Sequence, residues 1–343
     1  MKRNFKMAMG LALAIVMLLT AVLTGCSGGN KPAKENAAPK GKVVLKLGHV
    51  SAPSHPYHVA AEAVAKEVAE KTKGAVEIQI FPSNQLGQQR EMNEGLQLGS
   101  IDIVLTSSAV LAQFAPKVQV IDLPYIFRDR EHAYKVFDGP LAKEIFSGVN
   151  AVGTYVTTWE NGVRHFMDNV RPIKSPADMK GLKIRVMENK VYIEMTKLLG
   201  ASPTPMAYGE LYTALQQKTV DGADAPIGNI YTERFYEVQK YLVLDEHSYS
   251  PSIVLVSNNL AKKVGDENAK IIIETFKKYT KYQRDLVVKE DLEKLELLKK
   301  AGMQVYTPTA DEKQQFITAV KPVWGQFEKV VGKDLIDKIA STK

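Results

Sequence analysis

The sequence predicts an α/β protein made of two units of similar size. Three observations carry this. From Val43 onward, short runs with β-like composition alternate with runs of helical apolar spacing. After a middle segment the alternation begins again near Val152. Near the end, residues 266–301 contain neither Gly nor Pro and keep helical periodicity. A helix of that length would reach roughly 50 Å, more than the width of one small domain, and would run along both units unless a kink or break interrupts it.

The first unit opens with 43–50, Val-Val-Leu-Lys-Leu-Gly-His-Val, read as a strand. Residues 55–73 form a helix, with Val59, Ala63, Val64 and Val68 on one face and Gly74 ending it. In 75–81, Val76, Ile78 and Ile80 alternate with polar residues, as in a half-buried strand. Residues 88–98 are helical, and 101–106 form a buried strand. The order β-α-β-α-β implies a largely parallel sheet. The second unit starts with a strand at 152–159. A strand at 182–187, a helix ending near Gly200, a short helix at 208–217 and a strand edge at 220–224 follow. Residues 229–240 read as helix and 252–256 as a returning strand.

The N-terminus has a different character. Lys2, Arg3 and Lys6 precede an apolar run over 7–23, which meets Leu23-Thr24-Gly25-Cys26. A positive start, a short apolar core and small residues before a cut site make a secretory signal over 1–25. The alternative is a retained membrane helix, but the run is short for a span and is followed by Gly, Ser and Pro. The Leu-Thr-Gly-Cys ending resembles a bacterial lipobox, whose cysteine is acylated and held at the membrane by its lipid. Cys26 is the only cysteine, so the folded part has neither a disulfide nor a thiol nucleophile. Residues 26–42, rich in Gly, Pro, Ala and Lys, read as a flexible tether. The formal charge of +7 falls to +4 without Lys2, Arg3 and Lys6. With no dense basic tract, nucleic acid is a poor partner, while a mild positive excess suits an anionic ligand.

Catalytic motifs are scarce. There is no Gly-rich phosphate loop, nucleophile elbow or zinc-protease helix. His55 and His58 are spaced for one helix face, but without further ligands they read as surface or helix-start histidines. Asp221 and Asp224 could pair as carboxylates, and nothing places a third group beside them. The arginines say more. Arg185 alternates with apolar neighbours in Leu182-Lys183-Ile184-Arg185-Val186, and Arg164 ends a strand after Glu160-Asn161-Gly162-Val163. A strand arginine facing a cleft is costly to desolvate unless an anion meets it, and its fork binds a carboxylate by two parallel hydrogen bonds. Residue chemistry leaves two readings open: each arginine meets a ligand, or each pairs with an internal acid such as Asp168 or Glu188.

Several motifs occur in a characteristic order: Phe81-Pro82-Ser83-Asn84-Gln85-Leu86-Gly87, Leu123-Pro124-Tyr125, Gly181-Leu182-Lys183-Ile184-Arg185-Val186, Leu199-Gly200-Ala201-Ser202-Pro203-Thr204-Pro205-Met206, Glu210-Leu211-Tyr212-Thr213-Ala214-Leu215-Gln216, Val220-Asp221-Gly222, and Phe235-Tyr236-Glu237-Val238-Gln239-Lys240-Tyr241. From Val43 to the C-terminus the chain resembles the DctP-type substrate-binding proteins of TRAP (tripartite ATP-independent periplasmic) transporters. The resemblance implies a periplasmic-binding-protein-like α/β fold of two domains, with a ligand cleft and a long helix spanning both. Domain I would hold 43–161 plus about 251–285, and domain II 162–250 plus about 286–343. It implies an organic-acid ligand, with Arg185 making the main salt bridge, Arg164 a second contact, and Tyr208 and Asp224 lining the pocket. His49 and Ser107 are further candidates.

The partners implied are a small and a large integral-membrane permease subunit driven by an ion gradient, commonly sodium. No nucleotide, metal or other cofactor is implied, and no catalysis. Relatives that bind sialic acid carry Glu where this chain has Ser107, and Asn where it has Ala225, which argues against that ligand. A C4-dicarboxylate or related carboxylate is the expectation. The competing readings are a lipoprotein that presents a bound carboxylate to a membrane sensor, and an exported enzyme acting on an acidic metabolite through Asp221 or Asp224.

Overall fold

The computed structural model describes residues 41–343. Cys26, the leader and the tether up to residue 40 lie outside the described residues. Among the described residues, nine strands form one sheet: β1 (Val43–Gly48), β2 (Val76–Phe81), β3 (Ile103–Ser107), β4 (Thr154–Asp168), β5 (Lys183–Val186), β6 (Ser202–Pro205), β7 (Gly222–Pro226), β8 (Tyr241–Val256) and β9 (Gln304–Tyr306). The spatial order is β2-β1-β3-β8-β4-β7-β5-β6, with β9 on β8. Strands β2, β1 and β3 form the outer part of one lobe, and β7, β5 and β6 that of the other.

The outer strands are parallel, as the alternation of strand and helix requires. The centre departs from the expected largely parallel sheet. β3 pairs β8, β8 pairs β4 and β4 pairs β7, all antiparallel. β4 and β8 run 15 and 16 residues, far beyond the predicted 152–159 and 252–256. They pair with each other from Thr154↔Val256 to Asp168↔Tyr241, so each strand belongs to both lobes. Their register shifts at Tyr155/Thr157, Glu160/Gly162 and Arg164/Phe166. Such bulges bend a strand and raise its twist, which lets one pair of strands serve two differently oriented lobes.

The helices follow their local signals. His55 caps Pro56–Lys71, its Nδ1 accepting from the Tyr57 amide, and Pro56 needs no amide donor there. Gly99, in the left-handed region (φ 80°), closes Gln89–Leu98. The expected helix over 229–240 is shorter. Ile227–Thr232 stops before Arg234 (φ 59°), and a single 3-10 turn, Phe235–Glu237, follows. The run 266–301 is helical but broken at Tyr279 (ψ 0°) into Asp266–Lys278 and Thr280–Lys300. The Thr275 hydroxyl donates to the Ile271 carbonyl (2.7 Å), and Thr280 Oγ1 lies 2.8 Å from Thr157 Oγ1 on β4. Hydroxyls that compete for helix carbonyls, with one tied to the sheet, account for the bend.

Burial is divided among three apolar clusters. Leu45, Val64, Trp159 and Phe276 fill one beneath the first lobe. Met167, Ala223, Ile230 and Leu298 fill another beneath the second. The largest lies on the other face, where Phe137, Phe166 and Tyr192 meet Phe316 and Phe327 of the C-terminal helices. Gly222, which opens β7, is pressed against β4. A Cβ there would lie 2.2 Å from the Met167 carbonyl oxygen, so only glycine lets the two strands approach. None of the described helices is long and apolar enough to cross a membrane.

Candidate functional site

A cleft of about 660 Å³, including its open mouth, lies between the lobes. The parallel strands β1, β3, β5, β6 and β7 all point their carboxyl ends towards it. Ser51 follows β1, Ser107 ends β3, Met187 follows β5, Tyr208 follows β6 and Pro226 ends β7. Ligands in open α/β sheets bind at such strand ends, where chain reversals leave a crevice. β4 crosses the floor and contributes Asn161 and Arg164.

Arg185 is 1 % exposed and lines the cleft. Its Nε and Nη2 donate to the Met206 carbonyl at 3.1 and 2.7 Å. No carboxylate among the described residues pairs with it, and Tyr208 lies beneath its guanidinium (6.0 Å to the ring centroid). Burial pushes Arg185 down to about 10; Asp224 pulls the value up and Arg164 lowers it further. The group stays charged at neutral pH, buried and without a counterion, which is costly unless an anion is supplied.

Arg164 is in a different state. It lines the cleft at 3 % exposure, yet its Nε donates to Asp224 Oδ2 (2.5 Å) and its Nη2 to the Asp224 carbonyl (2.6 Å). Asp224 Oδ2 also faces His247 Nε2 at 3.3 Å, and His247 Nδ1 meets Asp245 Oδ2 at 2.8 Å. Burial opposes charge on Arg164, Asp224 and His247. The neighbouring opposite charges outweigh it, holding Asp224 well below the usual carboxylate range and raising His247 to about 9. Arg164, Asp224, His247 and Asp245 thus form a chain of alternating sign that carries no net charge.

The two readings of the arginines therefore separate. Arg164 has an internal partner, but it is Asp224 rather than Asp168 or Glu188. Asp168 caps the turn after β4, accepting from the Val170 and Arg171 amides at 2.7 and 2.9 Å. Glu188 lines the cleft.

Of the other expected site residues, Tyr208 and Ser107 line the cleft. The Tyr208 hydroxyl accepts from Asn229 Nδ2 at 2.8 Å, and burial raises its pKa well above the ordinary value. Ser107 donates its amide and hydroxyl to Gln89 Oε1 at 2.9 and 2.7 Å. Asp224, expected on the pocket wall, is not among the residues lining the cleft and stands behind Arg164, whose guanidinium it holds. His49, also expected at the ligand, turns away to His58 (Nε2 to Nδ1, 3.2 Å), and burial lowers its pKa to about 3. Asn161, Asn229 and Gln89 were not foreseen. Asn161 presents a buried side-chain oxygen with no hydrogen-bond partner, and the Asn229 side chain has His55 as a neighbour.

The lobes touch around the cleft. The Ala52 amide donates to Glu233 Oε1 (3.0 Å), Gly209 to Gln88 Oε1 (3.2 Å) and Gln113 Nε2 to the Glu188 carbonyl (3.0 Å). Asn189 Nδ2 reaches the Ala109 carbonyl (3.1 Å) and Asp122 Oδ2 (2.9 Å). No three His, Cys, Asp or Glu side chains among the described residues cluster as metal ligands. What the arrangement can do chemically is hold an anion against a buried guanidinium, away from bulk water.

Comparison with known proteins identifies the family and the fold. The family model for bacterial extracellular solute-binding protein, family 7 (DctP) matches residues 47–330. The chain is 31 % identical over 336 residues to the C4-dicarboxylate-binding protein DctB of Bacillus subtilis, covering 96 % of each. Its fold matches a TRAP periplasmic solute binding protein from Polaromonas sp. bound to D-erythronate at TM-score 0.84 and 39 % identity, over 88 % of this chain and 99 % of that one. It also matches one from Sulfurospirillum deleyianum with bound succinate at TM-score 0.85 and 33 % identity, over 88 % and 100 %.

Proposed function

The chain belongs to the bacterial extracellular solute-binding proteins of family 7, and from that premise we propose that it captures a small organic acid in the cleft and delivers it to the permease subunits of a TRAP transporter. The observation that supports this reading is Arg185: a guanidinium 1 % exposed, facing the cleft, without a carboxylate partner among the described residues. A ligand carboxylate supplies the missing charge through a two-bond fork. Arg164, already neutralised by Asp224, adds donors without adding net charge. Tyr208 covers the Arg185 guanidinium, and Ser107 with Gln89 forms the opposite wall. Closing the lobes excludes water and strengthens the ion pair.

The protein acts as a receptor and needs no chemical step. Lipid on Cys26 holds it to the outer face of the cell membrane, and residues 27–42 set its reach. The closed lobes form the surface that the permease reads, and transport draws on an ion gradient.

Titration calorimetry with an acid found in a thermal-shift screen tests the role of Arg185. Arg185→Ala is expected to lose about 3 kcal/mol of affinity, more than 100-fold, the range seen when one partner of a buried charged pair is truncated. Arg185→Lys is expected to recover little of it, because an ammonium cannot reproduce the fork. An Ala variant that binds the acid as tightly as the unaltered protein rejects the reading.

A further inference from the structure

We infer that Tyr125 is a positioning residue for the buried charges under the cleft: it clamps the segment of β8 that carries Asp245 and His247, and through them steadies Asp224 and Arg164. Its effect on ligand binding rests on the carboxylate-capture reading above; the clamp itself does not. The register of the two long strands shows what has to be held. Between the pairs Arg164↔Ser248 and Phe166↔Val243, β4 has one residue, His165, and β8 has the whole of 244–247. So many residues opposite one cannot all join the ladder, and the segment bulges out of it. Asp245 and His247 lie in that bulge, both buried, with His247 Nδ1 2.8 Å from Asp245 Oδ2. Glu246 between them takes a left-handed backbone (φ 55°).

Tyr125 holds the bulge at both ends. Its amide donates to the His247 carbonyl (2.9 Å) and its hydroxyl to the Asp245 carbonyl (3.1 Å). Tyr125 is itself left-handed (φ 56°), which is costly for a bulky side chain. Strained residues on both sides of one contact persist only where the surroundings over-determine them, and such strain gathers at working sites. Pro124, directly before Tyr125, is held in turn by Trp324, whose Nε1 donates to its carbonyl (2.8 Å). Within the bulge, Asp245 Oδ1 accepts from the Phe166 amide (3.1 Å), and the Phe166 ring stacks on His247 (4.2 Å between centroids). Releasing the Asp245 carbonyl would therefore let the Asp245 carboxylate and the His247 imidazole shift together. Asp224 would then lose one of its two cationic partners, the other being Arg164. The motif Leu123-Pro124-Tyr125 thereby acts on the cleft floor from the far side of the sheet.

The experiment uses Tyr125→Phe in the purified full chain, which removes the hydroxyl and leaves the ring and the amide contact. The His247 imidazole is titrated by NMR without ligand. Affinity for an acid found in the thermal-shift screen, and Tm, are measured beside it. Burial lowers the His247 pKa, but Asp245 and Asp224 outweigh it and raise the value to about 9. In Tyr125→Phe the midpoint is expected to fall by about one pH unit, and the acid to bind about fivefold more weakly, the scale of one hydrogen bond. An unchanged His247 midpoint overturns the inference, even if Tm falls, because Tyr125 would then only brace the fold. A shifted midpoint with unchanged affinity overturns the link from the clamp to the ligand and leaves the capture reading standing. If no acid of the panel binds the unaltered protein, the capture reading fails, and the His247 midpoint decides the clamp alone.

Discussion

The two walls of the cleft are built to different rules. The wall from β1, β3 and the helix Gln89–Leu98 offers neutral groups in its depth, Ser51, Gln89 and Ser107, with Arg90 exposed at the rim and paired with Glu94. The opposite wall, with the β4 floor, carries Arg185, Arg164, Tyr208 and Asn229, and behind them the Asp224–His247–Asp245 chain. The buried charge of the cleft therefore lies on one wall and on the floor. On the capture reading proposed above, a ligand anion would be held by the charged wall and covered by the other, with the Arg90–Glu94 pair at its rim.

The largest test of this asymmetry is Asp224→Ala. It leaves Arg164 and His247 buried without their shared counterion, and about 3–5 kcal/mol of folding stability is expected to go, read by urea unfolding. A variant as stable as the original would mean that the charged wall is not preassembled.

Next is Asp122, which joins the walls: Ser108 Oγ donates to its Oδ1 (2.5 Å) and Asn189 Nδ2 to its Oδ2 (2.9 Å). Burial raises its carboxyl to about 7, outweighing these hydrogen bonds and the more distant Arg164. A folded value above the unfolded one means that the folded state holds its proton longer. Its stabilising contribution is complete below pH 4 and is lost as pH rises to 7. The loss is at most roughly 4 kcal/mol, at about 1.4 kcal/mol per pH unit. Asp122→Asn is expected to flatten this part of the Tm-against-pH profile; an unchanged slope would assign it to other groups.

On the neutral wall, Gln89→Ala removes the acceptor of Ser107 and is expected to cost about 1–1.5 kcal/mol of ligand affinity with little change in Tm. A loss as large as that of Arg185→Ala would abolish the distinction between the walls. The smallest effect is expected from Glu233→Ala, which removes the bond from the Ala52 amide between the lobes. A shift of about 0.5–1 kcal/mol towards the open form would appear as a larger radius of gyration in ligand-free X-ray scattering.

Much of the charged wall was legible in the sequence, and little of the neutral one. Arg185 stood out because a guanidinium in a run of buried residues has few explanations. Arg164 stood out for the same reason, but its partner did not, since Asp224 reaches it through strand pairing that no local spacing encodes. Asn229 was hidden in a segment that read as ordinary helix, and its Pro226-Ile227-Gly228 approach looked like a loop. Gln89 read as a helix-start residue, which it also is. The outer β-α-β units were legible because each strand and helix declares its own period. β4 and β8 were not, because Gly162, Pro251 and the bulges interrupt their alternation, and their length is stabilised by pairing with each other. The break at Tyr279 was invisible because it involves neither Gly nor Pro, only hydroxyls bonded to nearby carbonyls and to β4.

A receptor that shields its cargo from water has a difficulty at the end of its task, since nothing outside can reach the cargo to displace it. The register shift between Arg164 and Phe166 offers a way around this. It sits on a strand shared by both lobes, directly beside a residue of the cleft floor. A docking surface that spread the lobes would strain that irregular segment, and the Arg164 guanidinium beside it would be displaced. Cargo would then leave by leverage, and the unloading machinery would never have to touch it.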